Sequence, residues 1–207
     1  MSKSLIYFPV VFLLMALFFL YIGLKVVLTK RPLFLSAKYF YAFMILAFSP
    51  QFVNMVELFK MSHSRKYDLL FLLSPLMFLV LLIFLWIQMK GYMAIGISDD
   101  LFREALHYSL NKLGLAFEER ISTIYLTSMN SSIQIAIQSW IGAGQLKFKE
   151  AKNAKLLAEI ISGMNEYNSA NNIKSKNITA IFYIIIGLLI LVAAGVFYYF
   201  TNSILRF

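Results

Sequence analysis

The chain has 207 residues, 60% of them hydrophobic and only 14% charged, with a formal net charge of +9 and no cysteine. Soluble domains carry about a quarter charged residues, so this balance sets the chain apart from them and points to an integral membrane protein. The missing cysteines exclude disulfides, thiolate metal sites and a cysteine nucleophile. The basic excess gathers beside apolar runs, where it meets anionic lipid and sets orientation, so it argues for membrane lipids and against nucleic acid as a partner.

The run 5–24 is uncharged. At about 1.5 Å per residue it reaches roughly 30 Å, one hydrocarbon core. Pro9 falls in its first turns, where a missing N–H costs least. No small-x-small cleavage site follows, so a first transmembrane helix is the expectation rather than a signal peptide. Lys25, Lys30, Arg31 and Lys38 then form a basic connector broken by Pro32.

The second expected span, 39–59, is apolar through Phe48 and then carries Pro50, Gln51, Asn54 and Glu57. At 100° per residue these four share a face about 120° wide. Lipid penalises such a face, so it should meet protein or water, and Pro50 should kink the helix. Lys60, His63, Arg65 and Lys66 lead to a third span, 69–88, with Pro75 inside and Trp86 and Tyr92 near its end, where aromatic rings prefer the interface. The fourth span, 178–199, has small residues at Gly187, Ala193, Ala194 and Gly195 that allow close helix approach.

Between the third and fourth spans lies a water-compatible stretch. Ser98 followed by Asp99 and Asp100 makes a helix start, and Gly114 makes its stop. Phe102, Ala105, Leu106, Leu110 and Leu113 fall on one face between them. Strands are expected at 115–119 and 122–127, at 133–138, where Ile133, Ile135 and Ile137 alternate with polar or small residues, and at 146–149. A second amphipathic helix begins near Glu150, followed by an Asn/Ser-rich linker at 165–176. The expected fold is a membrane α-helical protein: four transmembrane helices with a small α+β domain, α-ββββ-α, inserted between helices 3 and 4. The expected division is 1–89 for three spans, 90–177 for the domain and 178–207 for the last span and tail.

Lys25, Lys30, Arg31, Lys38, Lys90, Lys174 and Lys176 would share one side of the membrane, against Lys3, Lys60, Arg65, Lys66 and Arg206 on the other. By the positive-inside rule the α+β domain is then cytoplasmic, whereas a re-entrant second span would put both basic connectors on one face and the domain outside.

Gln51, Asn54 and Glu57 form the candidate intramembrane polar site, suited to a cation or proton. Glu57 can equally snorkel to Lys60 at the interface, or pack against another helix. Lys147, Lys149, Lys152 and Lys155 are the candidate contacts for lipid headgroups or an acidic partner. His63 and His107 lack partners at metal-ligand spacing, and Asp99 and Asp100 are explained by their helix start. Glu118 and Glu119, beside Arg120, read as a strand end or turn. No P-loop, GxGxxG, GxSxG or HExxH is present. Gly142-Ala-Gly144 is only the beginning of a dinucleotide pattern. The expectation is therefore a non-enzymatic accessory or scaffold subunit of a larger membrane complex, needing no cofactor, with other membrane subunits or a second copy of itself as partner. The alternative is a small homo-oligomeric transporter or channel using the polar face of helix 2.

Overall fold

The computed structural model describes residues 4–61, 69–138, 142–149 and 154–205, with side chains at 7–53, 76–138, 142–149 and 154–203. Among the described residues six helices and six strands follow in chain order: α1 (Ser4–Thr29), β1 (Leu33–Ser36), α2 (Ala37–Met61), α3 (Leu69–Gln88), β2 (Tyr92–Ile95), α4 (Asp99–Lys112), β3 (Phe117–Arg120), β4 (Thr123–Leu126), β5 (Ser131–Gln138), β6 (Ala143–Phe148), α5 (Ala154–Ala170) and α6 (Asn177–Leu205). They separate into two compact units.

One unit holds Met1–Leu20, Phe40–Met89 and Ile185–Phe207. Its helices meet through aromatic rings. Phe197 of α6 stacks on Phe12 of α1 with centroids 5.3 Å apart. Phe18 of α1 stacks on Phe43 of α2 at 4.8 Å. Phe78 of α3 sits edge-on to Phe52 of α2 at 4.3 Å, and Trp86 to Tyr41 at 5.0 Å. Gly187 of α6 faces Leu20, and a Cβ there would come within 2.8 Å of the leucine Cγ.

Among the described residues, two helices are long and apolar enough to cross a membrane: α1 over Tyr7–Thr29 and α6 over Asn177–Ser203. The four-span expectation is matched to that extent. Side chains are described only through Val53 in α2 and only from Leu76 in α3, so neither helix is described over a full span. Helix α2 runs from Ala37 to Met61 with Pro50 inside it. Proline has no N–H for the carbonyl four residues back, here that of Leu46. The Ser49 hydroxyl donates to that carbonyl at 2.7 Å and replaces the missing bond.

The other unit holds Tyr21–Tyr39 and Lys90–Ile184 and is therefore discontinuous in sequence. Its centre is one antiparallel sheet in the order β1-β2-β6-β5-β4-β3. This corrects the four-strand expectation. The segment 33–36 read as part of a basic connector and Tyr92 as an interfacial ring, whereas Leu33 pairs with Ile95 and Ser36 with Tyr92. Each of these strands has four residues. That is too short for alternation to stand out beside a long apolar run.

Ile124, Leu126, Ile133, Ile135, Leu146 and Phe148 all point to one sheet face. There they pack with Phe102, Ala105, Leu106 and Leu110 of α4 and Leu157, Ile160, Ile161 and Met164 of α5. Full burial of one such large side chain stabilises by about 1.5–3 kcal/mol. Two glycines set the spacing. Gly144 lies under the Phe102 ring, where a Cβ would meet Cε2 at 3.2 Å, and Gly163 of α5 abuts Ser109 of α4, where a Cβ would meet the serine Cβ at 2.9 Å. The Ser109 hydroxyl, fully buried, donates to the Ile160 carbonyl at 2.7 Å.

Helix α4 ends where expected. Gly114 adopts φ +66°, and the N–H groups of Gly114 and Leu115 return to the carbonyls of Asn111 and Leu110. Ser98 has the extended backbone of an N-cap, but its side chain makes no capping hydrogen bond. The expected linker at 165–176 is helical through Ala170. Contacts with α4 override the low helix propensity of its asparagines: Tyr167 lies 5.1 Å from Tyr108 between ring centroids, and Glu166 accepts from Lys112 at 2.6 Å.

Candidate functional site

The two helices cover one face of the sheet, and the other face carries the polar half of each alternating strand. Across β4, β5 and β6 the register sets Thr123 opposite Gln134 and Gln134 opposite Lys147, with Ala136 opposite Gln145 in the next row. Ser122, Thr123, Gln134, Gln145 and Lys147 rim a depression of about 190 Å³ floored by Ala136. Small-molecule pockets run to about 300–1,000 Å³, so this depression falls below that range. The Gln145 amide donates to the Lys90 carbonyl at 3.3 Å. Toward the β3 edge Arg120 lies over the Tyr125 ring, 4.9 Å from its centroid.

The sequence-derived lysines divide between layers. Lys147 lies on this open face and Lys149 follows two residues on, its N–H donating to Ser132 at 2.9 Å. Lys155 is exposed on α5, which packs against the opposite face, and Lys152 lies outside the described residues. Strands β5 and β6 carry no carboxylate, so Lys147 meets no opposite charge on its own strand or on β5.

A second polar group lies where α4 meets β3. Asp99 and Glu119 both bond to Arg103, the former at 2.8 Å to Nε. Partial burial works against the Arg103 charge, but hydrogen bonds to Asp99 and Glu119 outweigh it and hold the guanidinium above its ordinary pKa. Glu119, expected at a strand end or turn, faces the helices within β3, and His107 Nε2 lies 2.6 Å from its Oε2. That approach is close enough for an ion pair but out of line for a hydrogen bond. The imidazole also lies 5.1 Å from the Phe117 ring. Four charged or ionisable groups thus clamp α4 to the β3 edge. The Arg103 hydrogen bonds describe a strut between α4 and the β3 edge.

Between α4 and α5, the Lys112–Glu166 hydrogen bond raises the lysine pKa. Tyr167 is raised as well, first by burial and then by its hydroxyl's bond to Glu104 at 3.1 Å.

In α2, Gln51 is exposed. Asn54 and Glu57 follow on the same helix, and their side chains lie outside the described residues, as does His63. Gly142, read as the start of a nucleotide-like pattern, is a turn at φ +63° whose carbonyl accepts from Gly96 at 2.8 Å and Ile97 at 3.1 Å. The open sheet face was missed as a site because alternation marks which residues point outward without marking whether a second layer covers them.

Comparison with protein-family models, curated proteins and solved structures yields no match.

Proposed function

We propose that this chain is a non-enzymatic subunit of a membrane complex, with four helices in the bilayer and the α+β domain on the cytoplasmic side as a docking module. The observation that carries this reading is the open face of the sheet. A face of glutamine, hydroxyl and lysine side chains suits a protein surface that supplies hydrogen-bond acceptors. The charge of Lys147 and Lys149 makes that surface acidic. The occupant is thus an acidic patch on another membrane subunit.

The absence of native cysteine gives a clean test. A single cysteine placed at Gln145 is coupled to a photoreactive maleimide, and the full chain is extracted from its native membrane in mild detergent. One stoichiometric cross-linked partner with an acidic contact peptide is expected. A chain that cross-links to nothing, and purifies alone, overturns the reading. Labelling the same cysteine with a membrane-impermeant maleimide in sealed cells tests the side, and rapid labelling from outside refutes the cytoplasmic placement.

A second reading rests on Gln51. An exposed amide on a membrane helix needs a polar partner, and a second copy supplying it would line a path with Asn54 and Glu57. Glu57→Gln then abolishes ion flux into liposomes while the oligomer stays intact, and unchanged flux removes this reading.

A further inference from the structure

Charge is segregated within the sheet-containing unit. Residues 99–170 carry 7 Lys+Arg and 8 Asp+Glu, close to neutral. The remaining segments, 21–39, 90–98 and 171–184, carry 7 Lys+Arg and no carboxylate. The main chain ties these three segments together. Ser175 N–H donates to the Lys30 carbonyl at 3.0 Å, and Lys176 N–H to the Gly96 carbonyl at 2.8 Å. The Arg31 guanidinium donates to Ser169 Oγ at 3.2 Å. Lys30, Arg31, Lys174 and Lys176 are therefore gathered at the end of the β1–β2 ribbon marked by the Leu33–Ile95 pair.

At the ribbon's other end Ala37 N–H donates to the Gly91 carbonyl at 2.9 Å, which sets Lys38 beside Lys90. Four residue pairs separate the two ends, a distance of about 10–14 Å at strand rise. All six of these side chains are exposed. Their level along the chain is fixed by the apolar helices, since Tyr7–Thr29 stops just before Lys30 and Asn177–Ser203 starts just after Lys176.

We infer that the two cation groups form a split seat for the phosphate headgroups of anionic phospholipids, four cations at one end of the β1–β2 ribbon and two at the other. The inference rests on α1 and α6 being membrane spans. Several observations favour lipid. The cations stand directly past the ends of both apolar helices, no carboxylate competes in the same segments, and the backbone bonds hold the four-cation group in place before any ligand arrives. Lysine and arginine near a membrane surface each favour anionic lipid severalfold, and the arginine fork suits phosphate.

The test uses the full chain in nanodiscs of equal parts phosphatidylcholine and phosphatidylglycerol. Lipids that survive re-extraction into mild detergent are identified by native mass spectrometry. Wild type should retain phosphatidylglycerol over phosphatidylcholine by at least about tenfold, with roughly fivefold lost per neutralised cation at the four-cation end. The variants are Lys30→Gln with Lys174→Gln at one end and Lys38→Gln with Lys90→Gln at the other. Lys147→Gln with Lys155→Gln should leave the preference intact, and circular dichroism confirms that each variant is folded. Equal retention of both lipids by wild type, or equal losses in all three variants, overturns the headgroup seat. Alkaline carbonate extraction separates the two levels of failure. A chain released by carbonate refutes the spans and the seat together, and a chain retained without lipid preference refutes the seat alone.

Discussion

The two compact units are held together by different means. In the helical unit the contacts between helices are ring on ring, as at Phe12–Phe197 and Phe18–Phe43. In the sheet unit they are backbone ladders and a core closed from solvent, with Phe102, Leu106, Ile124, Ile133 and Ile160 fully buried. The difference follows from the solvent each unit faces under the membrane reading. Lipid is as apolar as a phenylalanine ring, so burying the ring against another helix gains packing but little hydrophobic free energy. Water drives the second unit to gather these side chains into one closed layer between sheet and helices.

Matched truncations sharpen that contrast. Phe102→Ala should destabilise the sheet unit by about 3–5 kcal/mol, read as lost hydrogen-exchange protection in β5 and β6. Phe43→Ala, which loses its Phe18 and Phe19 neighbours, should cost about 0.5–1.5 kcal/mol in bilayers. The reverse ranking would break the comparison. Next in size is Gly163→Val. Its side chain collides with Ser109 across the α4–α5 contact, and a loss of about 1–3 kcal/mol in the thermal transition of the domain is expected.

Ser49→Ala tests the helical unit where it does depend on a hydrogen bond. It strips the Leu46 carbonyl of the donor that stands in for Pro50. Stability should fall by about 1–2 kcal/mol, and a spin-label pair spanning the proline should report a bend. Pro50→Ala in the same background should restore both.

The smallest effect belongs to Lys112. Its folded pKa lies above the ordinary lysine value because Glu166 holds the ammonium. The bridge's contribution is therefore whole below the ordinary lysine range and fades as pH rises through the raised value. Comparing wild type with Lys112→Gln across an alkaline series should show their melting points converging at high pH; a constant gap contradicts the assignment.

The sheet unit was legible where water imposes a pattern. Ile133, Ile135 and Ile137 mark β5, Phe102 to Leu110 mark the inner face of α4, and Gly114 marks its end. Legibility failed for β1 and β2, whose pairing joins residues some 60 positions apart and leaves no local signature. At Pro50 the proline was read without the neighbouring Ser49, whose hydroxyl takes up the freed Leu46 carbonyl. Of the candidate sites, Lys147 and Lys149 lie together, but Lys155 is on the opposite layer, since spacing along the chain carries no information about which layer the chain has entered. The cations at the ends of the β1–β2 ribbon were visible as charges, and only the fold gathers them.

The β1–β2 pairing also constrains how the protein is made. Strand β1 leaves the ribosome first, then waits while α2 and α3 are synthesised before β2 can pair with it. The two-strand ribbon still lacks its inner neighbour, because β2 bonds next to β6, the last strand translated. The ladder therefore closes only after residue 148 has emerged, and α5 must follow to complete the core. Until then the edge of β2 that β6 will fill stays open. A nascent chain stalled before β6 is thus the form most exposed to mispairing and to quality-control proteolysis.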